Sequence, residues 1–375
     1  MSLPAILTAT SEVVDLAAEL SAYPSIAVDL EADSLHNYQE KVCLLQFTSP
    51  DRTVLVDPLA GLDLAALRPL FANPQQRKIF HAADYDIRCL ARDFDVSIRG
   101  LFDTMISCQF LGEERFGLGD VLKKYFGVEL DKRYQRADWS KRPLSREMIS
   151  YAAEDTRYLD NLAQILEEKL RAKGRLEWVM EECALLEKVR FNQHEGPAFL
   201  RFKGAGTLGP RQLAALEELL LWRDAEARRR DCPHYKVLGN KPLLELARLL
   251  PEGRQQLDGI EGFPPSLASR FAPAILNLTR KVLALPEGRL PSYPRVARKE
   301  RDAVIELRLG RLKAWRITIA KQLELDTGVL INNVLLEELA ARNPRDHDEL
   351  EALGLLKTWQ LQVLADGILK ALRGG

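Results

Sequence analysis

Short apolar runs dominate the first quarter of the chain. Three of them, at residues 25–31, 41–48 and 53–57, follow one another closely, and their spacing predicts three neighbouring β-strands. The apolar positions that come next suit a helix, residues 78–81 suit a fourth strand and residues 84–93 suit a second helix. Because strands and helices alternate, we predict an α/β domain.

A helical pattern then runs from about Leu144 to Leu170, with Ser145 in the place of an N-cap and Glu147 in the first turn. A loop rich in glycine and proline extends from Glu195 to Pro210, and such loops separate domains. We therefore expect the first domain to occupy residues 1–195. Beyond the loop the chain has the pattern of helices only.

The helical part contains an internal repeat. With a constant offset of 93 residues, Trp222-Arg223 aligns with Trp315-Arg316 and Glu245-Leu-Ala247 aligns with Glu338-Leu-Ala340, without a gap over about 55 positions. A linker with three prolines, residues 285–295, separates the copies. The predicted fold class is multidomain, α/β plus all-α, with two small helical domains at residues 211–285 and 296–375.

Length and composition agree with several folded domains. The chain has 375 residues, more than one hydrophobic core usually serves, and it is 46% hydrophobic and 29% charged. The formal net charge of −1 combines −6 for residues 1–210 with +5 for residues 211–375. An acidic metal site followed by a module that binds a polyanion fits this distribution, and so do ordinary solvated surfaces.

The cysteines and the N-terminal segment bear on the compartment. The five cysteines are scattered and never form a C-x-x-C pair, so neither a disulfide framework nor a zinc site is indicated. The first twenty residues lack a basic segment followed by an apolar one, and no run of eighteen apolar residues occurs. We expect a cytoplasmic protein.

Carboxylates carry the candidate chemistry. Asp29 and Glu31 lie two residues apart on a predicted strand, so both point to one face of the sheet. Such a pair is either solvated at the strand end or binds a hard cation, which prefers oxygen ligands. Asp84 and Asp86 lie in the first turn of the next predicted helix, where the helix dipole favours acids.

A third acidic position comes later in the chain. Tyr151 and Asp155 are four residues apart in a predicted helix and therefore share one face, while Glu154 points elsewhere. Each of these patterns is common in isolation. Their number and order are more informative than any one of them.

Taken in this order, the motifs resemble those of the tyrosine-containing branch of the DEDD exonuclease superfamily. The surrounding segments are similar to those of ribonuclease D and its relatives, and the repeated helical unit resembles the HRDC domain that follows the nuclease there. The segments that carry the resemblance are Val28–Asp33, Glu40–Gln46, His81–Asp86, Phe102–Thr104 and Tyr134–Leu144, which leads to Tyr151–Asp155. The resemblance covers nearly the whole chain.

The resemblance implies a ribonuclease H-like nuclease domain that shortens RNA from its 3′ end. It implies that Asp29, Glu31, Asp86 and Asp155 bind two divalent metal ions, Mg²⁺ or also Mn²⁺, and that Tyr151 is catalytic. Asp86 is preferred to Asp84 because the family's acid stands five residues after a histidine, which is His81 in this sequence. We expect the His81 side chain itself to pack in the protein interior and not to bind metal.

The chemistry of the phenol limits the role of Tyr151. With an ordinary pKa near 10 a tyrosine is a poor base at neutral pH. We expect Tyr151 to orient the attacking water. The implied partners are tRNA precursors and other small structured RNAs.

A basic and aromatic segment precedes the Tyr151 helix. Lys132, Arg133, Trp139 and Arg142 are candidates for RNA contacts, because cations and aromatic rings together hold single strands. A solvated loop and a packed tryptophan are the alternative. The run Arg228–Arg230 poses the same choice between RNA contacts and a role at the helix end.

Other functions remain open at this point. A 3′–5′ DNA exonuclease uses the same carboxylates, and a non-catalytic RNA-binding adaptor could share the fold. All five motif positions are occupied, which favours catalysis. A dinucleotide-binding enzyme is set aside, since no G-x-G-x-x-G turn follows the first predicted strand.

Overall fold

The computed structural model describes residues 3–191, 196–294 and 302–374. They form two compact units: the first comprises the described residues of 1–32, 42–191 and 299–375, and the second those of 33–41 and 192–298. Glu195 and Arg295, at the ends of the predicted interdomain segments, lie outside the described residues. The second helical repeat therefore belongs to the same unit as the α/β part, and the predicted domain boundaries stay a prediction.

A mixed β-sheet organises the first unit. Its strands are β1 (Ala5–Leu7), β2 (Ser25–Ala32), β3 (Val42–Thr48), β4 (Thr53–Val56), β5 (Arg77–Phe80) and β6 (Leu101–Asp103). Their order across the sheet is β1-β4-β3-β2-β5-β6. The central strand β2 is antiparallel to β3 and parallel to β5, which confirms the predicted α/β class.

Helices pack around this sheet. They are α1 (Thr10–Leu20), α2 (Leu67–Ala72), α3 (Asp84–Phe94), α4 (Thr104–Leu111), α5 (Leu118–Phe126), α6 (Arg146–Arg157), α7 (Leu159–Ala172) and α8 (Leu176–Leu186). The Ser145 hydroxyl caps α6 by accepting from the Met148 amide at 3.2 Å, as the sequence predicts. The predicted long helix is interrupted, however, because α6 ends at Arg157 and α7 begins at Leu159.

The helix predicted after Pro58 is also shorter than expected. Pro58–Ala60 forms a single 3-10 turn, and Gly61 ends it in the left-handed region with φ +77°. The regular helix α2 begins only at Leu67. Apolar spacing alone did not reveal this break, because Leu59 and Leu62 pack against the core from irregular backbone.

The two helical repeats match element by element. The second unit contains α9 (Pro210–Arg230), α10 (His234–Val237), α11 (Asn240–Leu249) and α12 (Pro265–Leu283). The first unit contains α13 (Ala303–Leu323), α14 (Thr327–Leu330), α15 (Asn333–Arg342), α16 (His347–Ala352) and α17 (Thr358–Arg373). Helices α9, α10, α11 and α12 begin 93 residues before α13, α14, α15 and α17, so the sequence repeat is a structural repeat.

An arginine, buried in the first repeat and partly exposed in the second, makes the same contact in both repeats. The Arg223 guanidinium donates to the Leu238 carbonyl at 3.0 Å, and Arg316 donates to the Ile331 carbonyl at 2.9 Å. Each bond joins the long first helix of its repeat to the end of the short helix that follows. The aligned Trp-Arg pair thus includes a structural arginine that closes the helical domain.

The second repeat packs against the α/β part within the first unit. Trp359 stacks on Trp178 with ring centroids 5.1 Å apart, and its indole N–H donates to Glu182 at 2.9 Å. The Glu181 carboxylate accepts from the backbone N–H groups of Thr358 and Trp359, at the start of α17. The contact therefore combines aromatic packing with a carboxylate at a helix N-terminus.

The backbones also approach closely at this contact. Gly112 ends α4 with φ +81°, and a Cβ at this position would lie 2.1 Å from the Glu324 carbonyl oxygen. Only a residue without a side chain fits there.

In the described part of the chain, every helix is too short or too polar to cross a lipid bilayer.

The close approach at Gly112 generates a stability prediction. Gly112→Ala adds left-handed strain and a clash with Glu324, so we expect it to lower the free energy of unfolding by about 2–5 kcal/mol. Gly127→Ala is the matched control, because Gly127 ends α5 with φ +68° and nothing lies within 4 Å of its added Cβ. In Gly127→Ala only the left-handed backbone strain remains, and it should lower the free energy of unfolding by about 1–2 kcal/mol. Equal losses for the two variants in thermal unfolding would contradict the docking contact.

Candidate active site

Strand β2 presents two carboxylates on one face. Asp29 and Glu31 alternate with Val28 and Leu30, which are buried in the hydrophobic core. Helix α6 packs over the face that carries the acids, as the hydrogen bond of 2.7 Å between the hydroxyls of Thr48 and Thr156 shows. The period-2 geometry of the strand therefore directs one set of residues to the core and the other to the site.

Helices α3 and α6 bring in two further carboxylates. Asp86 and Asp155 are both only 6% exposed, and each interacts electrostatically with Asp29. Asp84 lies elsewhere: its side chain is 57% exposed and pairs with Arg88 at 2.9 Å. The structure thus favours Asp86 over Asp84 as the member of the cluster.

The environment of the four acids opposes their charged forms. Burial raises the pKa of Asp29 to about 7, and burial together with the charge of Asp29 raises the pKa of Asp155 to about 8. Burial and the neighbouring carboxylates also hold the pKa of Glu31 and the pKa of Asp86 well above their ordinary values. Each acid is therefore desolvated next to others of the same charge.

Tyr151 lies beside Asp155, one helical turn earlier. Its hydroxyl donates a hydrogen bond to the Asp155 carboxylate. Burial and the charge of Asp155 raise the pKa of Tyr151 far above its ordinary value. The phenol therefore stays protonated at physiological pH and can donate a hydrogen bond, but it cannot serve as a base.

A cleft of about 220 Å³ opens onto these residues. Asp29, Tyr151 and Asp155 line one side of it. The start of α5, including Gly117 and Gly119, and the segment with Lys132 and Gln135 line the other parts. Of the four predicted RNA contacts, Lys132 is the one that lines this cleft.

The donor set fits hard divalent cations. All four side chains offer carboxylate oxygens, the ligands that Mg²⁺ and Mn²⁺ prefer, and among the described residues no lysine or arginine forms an ion pair with them. Added cations would offset both causes of the raised pKa values, which are burial for all four acids and, for Glu31, Asp86 and Asp155, also the neighbouring carboxylates. Over residues 3–191, 196–294 and 302–374, however, no three acidic, histidine or cysteine side chains already converge as ligands of one ion.

A larger cleft elsewhere has a different character. It measures about 970 Å³ and lies between α4 and α13. Three of its four lining glutamates have lysine partners: Glu113 pairs with Lys124, Glu182 with Lys357 at 2.6 Å and Glu324 with Lys173 at 2.9 Å. Size alone therefore does not identify the site, whereas unpaired buried charge does.

Trp139 and Arg142 do not have the predicted role. Trp139 is 1% exposed and packs behind Tyr151, with ring centroids 6.0 Å apart. Arg142 binds both oxygens of Asp57 at 2.5 and 2.6 Å and donates to the Cys43 carbonyl at 2.7 Å. These contacts correct the prediction of direct RNA contact, because a buried ring offers no face to a base and the guanidinium is already bound.

Arg133 lies on the surface next to the cleft. Its side chain is 77% exposed, pairs with Asp131 at 2.6 Å and lies over the Tyr134 ring. The run Arg228–Arg230 is engaged within the second unit, where Arg228 lies 5.4 Å from the Tyr38 ring centroid and Arg229 pairs with Glu226 at 2.8 Å. Neither observation assigns an RNA contact.

Asp103 is a site-building residue to which the sequence assigned no role. Its buried carboxylate accepts from four backbone N–H groups, those of Ala82 at 3.1 Å, Ala83 at 2.8 Å, Met105 at 2.8 Å and Ile106 at 3.2 Å. Ala82 has φ +67°, which is unfavourable for alanine. Asp103 thereby fixes the turn that leads into α3 and Asp86. An aspartate immediately before a helix is a common N-cap, and this position before α4 is the feature of the sequence that could have indicated a structural role for Asp103.

His81 lies in the same turn and is mostly packed, as expected. Its Nδ1 is 2.9 Å from the Thr104 hydroxyl, and its ring also lines the cleft. Burial lowers the pKa of His81. The ring is therefore neutral at physiological pH.

Comparison with known proteins places the chain among nucleases. A 3′–5′ exonuclease family model matches residues 4–171, and the HRDC domain model matches residues 212–279 and 306–372. Ribonuclease D of Acidiphilium cryptum is 29% identical over 379 residues, covering 99% of this chain and 93% of that protein. Ribonuclease D of Escherichia coli K12 is 31% identical over 288 residues, 76% of each chain.

A solved structure agrees with this. The crystal structure of Escherichia coli RNase D has a TM-score of 0.74 and 25% identity, and the match covers 100% of this chain and 99% of that one. The ribonuclease H-like sheet, with its carboxylates beside the cleft, is the arrangement of a 3′–5′ exonuclease of the DEDD type, which implies dependence on divalent metal. The chain belongs to the ribonuclease D family, and it is an exoribonuclease that acts on RNA.

The contrast between Asp84 and Asp86 can be tested directly. We expect Asp86→Asn to reduce exonuclease activity by roughly 10²-fold or more, and Asp84→Asn to stay within about twofold, because it removes a solvated pair of small energetic weight. The measurement is the rate of RNA shortening at saturating Mg²⁺. Equal losses in the two variants would contradict the placement of Asp86.

The same pair tests the electrostatics. Since the pKa of Asp86 is raised in the folded state, its ionisation opposes folding, and this loss of stability grows as pH rises above the ordinary aspartate range. In EDTA at pH 8 we therefore expect Asp86→Asn to unfold at a higher temperature than the wild type. Asp84→Asn should not, since it only breaks a surface pair.

Proposed function

We propose that this enzyme matures the 3′ ends of tRNA precursors and other small structured RNAs, using two divalent ions held by Asp29, Glu31, Asp86 and Asp155. The observation that carries the proposal is the carboxylate cluster beside the cleft, in which Asp86 and Asp155 are buried, Asp29 and Glu31 are partly exposed, and no member pairs with a lysine or arginine among the described residues. Tyr151 is hydrogen-bonded to Asp155 within it. The similar RNase D of Escherichia coli is an exoribonuclease involved in structured RNA processing, which supports the substrate class.

The position of Asp29 among the four acids indicates its role. Asp29 lies centrally, since its charge contributes to the raised pKa of Glu31, Asp86 and Asp155. Asp29 would therefore contribute to holding both ions. When bound, two Mg²⁺ or Mn²⁺ ions would activate the nucleophile and stabilise the leaving oxygen of the scissile phosphodiester.

Tyr151 and Lys132 complete the site. The phenol proton is used in the hydrogen bond to Asp155, which leaves the Tyr151 oxygen free to accept a hydrogen bond from the attacking water. We therefore assign Tyr151 to orient this water in line with the phosphate. Lys132 lines the cleft, where its ammonium group suits an RNA phosphate. Attack of water on the terminal phosphodiester, with cleavage of the P–O3′ bond and departure of the 3′ oxygen of the preceding nucleotide, would release a nucleoside 5′-monophosphate.

The direct test uses a 3′-extended tRNA precursor. We expect wild-type protein with Mg²⁺ to shorten it one nucleotide at a time, and Asp29→Asn or wild type in EDTA to leave it intact. A matched single-stranded DNA in parallel reactions tests the alternative substrate. Equal or faster loss of the DNA would favour a DNA exonuclease, and Mn²⁺ binding without any hydrolysis would favour an RNA-binding adaptor.

Tyr151→Phe separates orientation from metal binding. We expect the rate to fall by roughly 10²-fold, while the affinity for Mn²⁺ in calorimetry stays within about twofold of wild type, since the phenol is not among the proposed ligands. Tyr158→Phe is the matched control, because Tyr158 packs on Phe126 instead. A loss of Mn²⁺ affinity in Tyr151→Phe as steep as in Asp29→Asn would refute the assignment.

A further inference from the structure

Gln46 is a buried amide without a hydrogen-bond partner. Its side chain is fully buried in β3, and neither Oε1 nor Nε2 has a partner among the described residues. Burying an amide in this way costs free energy that an apolar side chain of the same shape would not. A native protein that keeps such a group at a functional site calls for an explanation.

The register of the sheet identifies its polar neighbour. Gln46 lies directly opposite Asp29 in the antiparallel pair of β3 and β2, and opposite Leu55 on the other side. Directly opposed residues point to the same face, with Cβ atoms about 4.5–5.5 Å apart. The Gln46 side chain therefore projects beside the Asp29 carboxylate.

The neighbouring side chains on this face offer no competing acceptor for the Gln46 N–H groups. Along β3, Leu44 is apolar, and the Thr48 hydroxyl already shares hydrogen bonds with the hydroxyls of Thr53 at 2.8 Å and Thr156 at 2.7 Å. Above this face lies Ala152 of α6, in the same apolar cluster as Leu44 and Leu55. Among these described neighbours on this face of the sheet, Asp29 is thus the one with free acceptor capacity.

We propose that Gln46 is a positioning residue for Asp29: in the cation-bound state its Nε2 donates to the Asp29 carboxylate and fixes the orientation of that ligand, whereas without cations the amide stays unsatisfied. The inference rests on the metal site of the proposed function. An amide suits this place because it adds a donor to the cluster without adding another negative charge. A glutamate there would increase the repulsion, and a lysine would compete with the cations.

Gln46→Met tests the proposal, since methionine is apolar, unbranched and of similar size. In EDTA we expect the variant to unfold at the same temperature as wild type or higher, because it removes two unsatisfied polar atoms. At the same time we expect its affinity for Mn²⁺ in calorimetry to fall about tenfold and kcat/KM for RNA to fall at least as much. Gln46→Asn keeps the amide but shortens its reach. Its Mn²⁺ affinity and its kcat/KM should therefore lie between those of wild type and those of Gln46→Met.

Gln76→Met is the matched control. Gln76 is also buried, but its Nε2 donates to the carbonyls of Leu20 at 2.6 Å and Tyr23 at 2.9 Å, away from the acids. We expect this variant to melt lower by roughly 2–4 °C and to keep wild-type Mn²⁺ affinity. The two glutamines thus have opposite signatures in stability and in metal binding.

The possible outcomes are distinct. Wild-type Mn²⁺ affinity in Gln46→Met, or unfolding of this variant in EDTA, overturns the inference, because the amide would then be either irrelevant to the site or already satisfied. Wild-type protein that fails to degrade RNA with Mg²⁺ overturns the proposed function instead. In that case the Mn²⁺ affinities still decide the role of Gln46.

Discussion

Four carboxylates lie close together inside the α/β part of the protein, and no lysine or arginine among the described residues pairs with them. Because like charges repel strongly where water is excluded, the cluster opposes folding, and burial raises the pKa of Asp29 and Asp155 accordingly. The surrounding structure has to hold these groups by packing and backbone geometry. This contrasts with the larger cleft between α4 and α13, where three of the four lining glutamates pair with lysines.

The supports of the cluster come from several separate elements. β2 fixes two acids through its pleat, and Asp103 fixes a third by holding the strained turn at Ala82. Trp139 packs behind Tyr151, and the ion pair of Arg142 with Asp57 holds the segment that carries this tryptophan. Trp139 and Arg142, which in the sequence resemble an RNA-binding segment, thus support Tyr151 from the protein interior.

The two helical repeats share a fold but differ in surface contacts. Their arginines, Arg223 and Arg316, close the same helix junction. The second repeat uses Trp359 to pack on the α/β part of the first unit, whereas in the second unit Arg228 of the first repeat binds the ring of Tyr38. The shared arginine contact maintains the fold of both repeats, whereas Trp359 and Arg228 make contacts that differ between them.

The sequence by itself determined the α/β class, the helical repeat with its offset of 93, the shared face of Asp29 and Glu31 and the shared face of Tyr151 and Asp155. These follow from local periods of two and 3.6 residues, which need no knowledge of distant contacts. Only the tertiary structure separated Asp86 from Asp84, buried Trp139 and placed Gln46 opposite Asp29. Burial and pairing depend on which remote segments meet, and Asp29 meets Asp155 across more than a hundred residues of chain.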